Sequence, residues 1–103
     1  MASFIWDDKN TAHIAKHGIS PEEAEHVVVH AHPPYPRQHG DRKIIARGRT
    51  EAGEYVQVIY VMETEADIDY SAIDLVDLDT DDEAYYVIHA RPLSKDEIRS
   101  FRR

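Results

Sequence analysis

Cysteine is absent from the 103 residues. That excludes disulfides and thiolate zinc sites, and it suits a reducing compartment. Long apolar runs are absent as well, and none reaches the ~18 residues that a membrane-crossing helix requires. The opening Met1 to Asp8 has neither the basic region nor the apolar core of a secretory signal. A cytoplasmic location with no membrane partner is therefore expected. Glycine is scarce, at four residues, and no glycine-rich loop is present to cradle a phosphate. No serine nucleophile stands in a recognisable context, and no ladder of aromatics is spaced to stack single-stranded bases. What is present is a chain 42% hydrophobic and 31% charged, which is the composition of a folded domain. Its length suits one domain with a modest core.

Basic residues are also in short supply, with 12 Lys and Arg against 20 Asp and Glu, giving a net charge of -8. Taken whole, that opposes a nucleic-acid partner. The distribution alters the reading. The stretch 63–84 holds ten of the acids (Glu63, Glu65, Asp67, Asp69, Asp74, Asp77, Asp79, Asp81, Asp82 and Glu83) and no Lys or Arg. Outside it, twelve bases face ten acids. The chain reads as a slightly basic domain with an acidic insertion at 63–84, whose apolar Ile68, Ile73, Leu75 and Val76 suit a hairpin arm.

Phe4 to Trp6 suits a short strand. Asp7 or Asp8 can cap a helix running to His17, which Gly18 would end in the left-handed conformation. Ser20-Pro21-Glu22-Glu23 is a helix start, with Ser20 as cap, Pro21 at the first position and Glu23 reaching back. Ala24, Val27, Val28 and Ala31 recur at helical spacing, and Pro33, Pro34 and Pro36 stop that helix by His32. Residues 32–42 read as a loop. Lys43 to Thr50 and Tyr55 to Met62 read as strands joined by a turn at Glu51 to Glu54. The second of these is apolar on both faces apart from Gln57, as in a central strand covered on both sides or a strand covered on one side and at a partner interface on the other. Tyr85 to Arg91 reads as the last strand, and Ser94-Lys95-Asp96-Glu97 opens a terminal helix with a second capping box. The expectation is an α+β domain with two N-terminal helices, an antiparallel sheet of three to four strands and a short C-terminal helix, in two layers.

The chemistry concentrates in two strands. His89 and Arg91 are two residues apart and so share a strand face. Arg47 and Arg49 share a face of their own strand. Whether the two faces coincide depends on a register that the sequence does not give. If they coincide, an imidazole for proton transfer and several guanidinium groups for phosphate meet, with Arg102 or Arg103 arriving from the terminal helix. The plainer account is that the arginines pair with surface acids and His89 is a hydrogen-bonded sheet residue. Lys16 and His17 sit at a helix C-terminus, where the dipole favours a cation. His13/His17 and His26/His30 have the i, i+4 spacing of helix metal ligands, but neither pair has the His-Glu-x-x-His pattern. Asp77 to Asp82 fails as a calcium loop, since glycine and glutamate are missing from the required positions. No metal or cofactor is expected.

Three segments together resemble the BrnT-type toxins of bacterial type II toxin–antitoxin modules. They are Phe4-Ile5-Trp6-Asp7 with Lys16-His17-Gly18-Ile19-Ser20-Pro21-Glu22-Glu23-Ala24-Glu25; Arg47-Gly48-Arg49-Thr50 with Gly53 and Tyr60-Val61; and Val87-Ile88-His89-Ala90-Arg91-Pro92 with Glu97 and Phe101-Arg102-Arg103. The resemblance covers roughly residues 3–62 and 84–103. The chain departs from it in carrying the long acidic stretch, and in having Tyr86 where many members carry arginine. The resemblance implies a fold similar to the RelE-like ribonucleases and a metal-independent endoribonuclease. It also implies a cognate antitoxin, a small DNA-binding protein that forms a hetero-oligomer with the toxin. On that basis His89, Arg91 and Arg49 are expected to be catalytic, and Lys16, His17, Arg47 and Arg103 to contact RNA. The acidic stretch and Tyr86 suggest a second account, an inactive toxin-fold module that binds a protein partner.

Overall fold

A computed structural model describes residues 3–40, 42–63 and 84–101. The chain opens with strand β1 (Ser3–Ile5), followed by helices α1 (Asp8–Ala15) and α2 (Pro21–Val29). Strands β2 (Arg37–Gln38), β3 (Lys43–Arg49), β4 (Tyr55–Glu63) and β5 (Ala84–Pro92) come next, and helix α3 (Lys95–Phe101) ends the described chain.

The helix boundaries follow from local chemistry. Asp7 accepts from the Asn10 amide, and the Asn10 side chain accepts from the Asp7 amide. Asn10 also donates to the Ile5 carbonyl, tying α1 to the end of β1. The helix stops at Ala15, short of the expected His17. Gly18 has φ +76, the Ile19 amide donates to the Ile14 carbonyl at 3.2 Å and the Gly18 amide to the Ala15 carbonyl at 3.0 Å. This crossed pair of bonds is the left-handed stop that glycine makes cheap. Ser20 and Glu23 cap α2 reciprocally, as the sequence predicts.

The sheet has five strands in the order β1-β5-β4-β3-β2. It is α+β as expected, but the three- to four-stranded antiparallel sheet requires correction. β1 precedes both helices and runs parallel to β5, which makes the sheet mixed. β2, which forms within the expected loop 32–42, adds a second edge. The cause lies in the route of the chain: β1, at the edge beside β5, leads into the two helices, and the chain re-enters the sheet at the opposite edge with β2. β4 is central, between β3 and β5.

One face of the sheet carries the core. Ala46 of β3, Val56, Val58 and Tyr60 of β4, and Val87 and Ala90 of β5 pack against Ile14, Ile19, Ala24, Val27 and Val28. α1 lies against β5, and α2 against β3 and β4. At Gly48 a Cβ would lie 3.4 Å from the His30 carbonyl oxygen and 3.6 Å from that of Val27, so β3 approaches the end of α2 as closely as a methyl group permits. Glu63 pairs with Ala84 where β4 ends and β5 begins. The connection between them, residues 64–83, lies outside the described residues, and so does the expected acidic hairpin arm. No helix among the described residues is long and apolar enough to cross a membrane.

Candidate active site

A β-bulge decides where the chemistry of β5 points. Ile59 pairs with His89, but the next residue, Tyr60, pairs with Val87, so Ile88 is an extra residue in β5. Before the bulge Tyr85 and Val87 turn toward the helices; after it Ala90 does. Uninterrupted alternation would place His89 and Arg91 on the same side as Val87, inside the core. The inserted residue reverses the phase and turns both onto the opposite face.

The register then answers the question the sequence leaves open. Arg47 pairs with Gln57, and Gln57 pairs with Arg91, so the three form one row across β3, β4 and β5. Ile45, Ile59 and His89 form the neighbouring row. Arg49, opposite Tyr55, continues the same face of β3. His89, Arg91, Arg47 and Arg49 therefore share the sheet face opposite the core.

α3 reaches over that face with Glu97. Its carboxylate accepts from both terminal nitrogens of Arg91 at 2.7 Å, and from Arg47 at 3.2 Å. Glu97 also closes the capping box of α3: its carboxylate accepts from the Ser94 amide, and the Ser94 hydroxyl accepts from the Glu97 amide. Buried Gln57 accepts from Arg47 Nε at 2.9 Å and completes the network. With Arg91 and the Ser94 amide donating to it, the Glu97 carboxyl is pulled down to about 2. The same contact raises the pKa of Arg91 further. The plainer account of Arg47 and Arg91 thus holds in part, since both are ion-paired to an acid.

His89 stands in the neighbouring row. Its Nδ1 lies 3.0 Å from Nε2 of His13 on α1. The His17 ring, one helical turn further on, meets it edge to face at 5.1 Å between centroids. Burial lowers the pKa of His89, and His13, His17 and Arg91 lower it further. A neutral imidazole is thereby favoured, which is the form a proton acceptor needs.

The other expected residues are dispersed. Arg49 lies over the Tyr55 ring at 5.3 Å and has no carboxylate partner among the described residues. Lys16 is exposed at the end of α1, while His17 joins the histidine group. Arg102 and Arg103 lie outside the described residues. Tyr86 donates to Asp7 at 2.9 Å and ties β5 to the cap of α1.

Three partners escaped the sequence. His13 was visible as half of an i, i+4 pair, but nothing indicated that the third imidazole would come from β5. Glu97 was visible as a capping residue, but not as the partner of two arginines. The third is an aromatic group: Phe101 of α3 meets His32, Tyr35 and Tyr55 with centroids 5.5, 6.1 and 5.7 Å away. Arg47 lies over Tyr35 at 5.4 Å. These rings come from separate segments, which is why no ladder is legible in the sequence. They fix the end of α3 beside the arginine row.

The His26 and His30 rings stack 4.5 Å apart, with His26 3.7 Å from Glu51. That pair lies beside a cleft of about 260 Å³ lined by Glu22, Glu23, Thr50, Glu51 and Ala52, whose acids repel phosphate. Among the described residues no group of three histidine, aspartate or glutamate side chains is disposed to hold a metal ion. Comparison with protein-family models, with curated proteins and with solved structures finds no match for the chain.

Proposed function

We propose that the chain is the toxin of a type II toxin–antitoxin module, with a RelE-like fold of the BrnT type, and that it cleaves RNA without metal in the cytoplasm. The observation that carries this reading is the shared face of His89, Arg91, Arg47 and Arg49, produced by the bulge at Ile88. His89 takes the proton of the ribose 2′-hydroxyl. Arg91 and Arg49 hold the phosphate as charge builds on it. Arg47, Lys16 and His17 contact the RNA backbone, with Arg103 as a further contact. A small DNA-binding antitoxin neutralises the protein by forming a hetero-oligomer. The test is growth on expression, followed by cleavage of RNA by purified protein in EDTA. Growth arrest and cleavage are expected from the intact chain, and both are lost in His89→Ala and Arg91→Ala. Unimpaired growth together with intact RNA sinks the reading.

The capture of Arg91 and Arg47 by Glu97 favours a second reading. Guanidinium groups already neutralised by a carboxylate suit a toxin-fold module that binds a protein partner and has no nuclease activity. Cleavage by the protein once freed of its partner rejects it.

A further inference from the structure

The three imidazoles on β5 and α1 are an unusual grouping. His13 lies on α1 and His17 just past its end, and His89 comes from the far end of the chain. Ring centroids are 5.2 Å apart for His13 and His89, 5.1 Å for His17 and His89, and 6.2 Å for His13 and His17. A metal site would need the nitrogens of all three to converge on a common point, and among the described residues no group of three is so disposed. His13 Nε2 and His89 Nδ1 lie at hydrogen-bond distance, 3.0 Å.

We propose that His13 is the positioning residue of this site. Its Nε2 accepts the Nδ1 proton of His89, which fixes the His89 tautomer and leaves Nε2 unprotonated as the base toward an RNA 2′-hydroxyl.

The inference rests on the ribonuclease reading, and its logic is tautomeric. Neutral imidazole has one N–H and one lone pair, and the hydrogen bond at one nitrogen decides the state of the other. A base at Nε2 requires the proton on Nδ1, and Nδ1 then requires an acceptor. His13 Nε2, 3.0 Å away, is placed to be that acceptor. Among the described residues no hydrogen bond engages His89 Nε2. During cleavage the 2′-oxygen bonds to phosphorus and its proton passes to His89 Nε2. The bond from phosphorus to the 5′-oxygen breaks, and that oxygen takes a proton from water. The products are a 2′,3′-cyclic phosphate and a 5′-hydroxyl.

Burial and the Arg91 guanidinium on its own strand oppose protonation of His89, and its partner on β4 is the uncharged Ile59. His13 faces it from α1 and His17 from just past the end of that helix. As acceptor of the Nδ1 proton, His13 is the neutral imidazole.

The experiment compares wild type, His13→Ala and His13→Gln. It measures kcat/KM for an RNA oligonucleotide in EDTA across about pH 5 to 9, where histidine titrates. His13 is exposed, so neither substitution touches the core. His13→Ala is expected to lower kcat/KM by roughly tenfold or more, as the loss of a partner that orients an imidazole does. His13→Gln keeps an acceptor for Nδ1–H and should therefore retain most of the rate. Imidazole ¹⁵N shifts, read without any substrate, should report His89 as the Nδ1–H tautomer in wild type and His13→Gln, and as a mixture in His13→Ala. Cleavage by wild type with an unchanged profile in His13→Ala overturns the positioning role and leaves the ribonuclease reading standing. An Nε2–H tautomer in wild type also overturns it. RNA left intact by wild type removes the ribonuclease reading, and the proposed base with it. Activity lost in EDTA and restored by zinc would make the three imidazoles a metal site and overturn the proposal.

Discussion

Glu97 is one side chain with three attachments: the amide that it caps on α3, Arg91 on β5 and Arg47 on β3. Its position couples the last helix to the sheet face that carries the proposed chemistry. Hydrogen bonds to a charged group contribute about 1.5–3 kcal/mol each in protected settings, and partial exposure discounts them. Glu97→Gln keeps the shape and removes the charge, so a loss of about 1–2 kcal/mol is expected near neutral pH. The pH dependence has a definite sign. The carboxyl titrates near 2 in the fold, below its ordinary value of 4.5. Between those two values the unfolded chain binds the proton and the folded chain does not, so stability rises with pH across that window. The contribution is complete above the ordinary value and is lost as pH falls through the folded one. Urea denaturation of wild type and Glu97→Gln should therefore differ most at neutral pH and converge on acidification. A constant difference at all pH values would mean that Glu97 acts through packing and not through its charge. The same substitution frees Arg91 and Arg47 from a competing anion, so RNA binding should tighten.

The element that matters most is β5, and within it the extra residue Ile88. Deleting Ile88 restores plain alternation and forces a choice. Either His89 and Arg91 turn into the core beside Val87, or the strand keeps their direction and pulls Val87 out. A buried, unpaired guanidinium costs several kcal/mol, and so does expelling a core valine with its neighbours. The deletion is therefore expected to cost more than about 3 kcal/mol, while Ile88→Val, which keeps the residue count, costs about 1 kcal/mol or less. Urea midpoints of the two variants decide this, and similar midpoints would show that the bulge can move along the strand at no cost. The same element shows what the sequence could and could not disclose. Ser20, Glu23, Gly18, Ser94 and Glu97 act on atoms within a few residues of themselves, so the caps and helix ends were legible. The apolar pattern of Tyr55 to Met62 marked a central strand, and β4 is one. A bulge leaves no local mark, because it is defined by the partner strand, and plain alternation would have put His89 and Arg91 on the wrong face. The parallel pairing of β1 with β5 and the contact of His13 with His89 join opposite ends of the chain, and no periodicity encodes them. His89 and Arg91 share a face with or without the bulge, because it does not fall between them; the bulge decides which face that is.

For the molecule as a whole, charge is the quantity that the fold leaves unbalanced. The net charge is -8, yet nine of the twenty acids fall in 64–83, which holds no Lys or Arg. Without that segment twelve bases face eleven acids, a net charge of +1. The pairing of Glu63 with Ala84 brings its two ends together across an antiparallel ladder. A two-residue Asn-Gly turn, which suits such a ladder, can therefore replace 64–83 without moving β4 or β5. The shortened chain is expected to unfold cooperatively, with the arginine row and the histidine group in place. Binding to RNA depends on the field around the phosphates, so loss of nine negative charges should strengthen it at low salt. The affinity of the shortened chain should fall steeply as salt rises, in the log–log manner of counterion release, while the intact chain binds more weakly at every salt concentration. If the segment is the docking arm of a binding module, the same deletion instead abolishes capture of a basic protein partner and leaves RNA affinity unchanged. Filter binding to one RNA across a salt series, with intact and shortened chains side by side, separates these outcomes. Equal RNA affinities would remove the acidic stretch from any account of nucleic-acid binding and leave the protein-partner reading as the one that explains it.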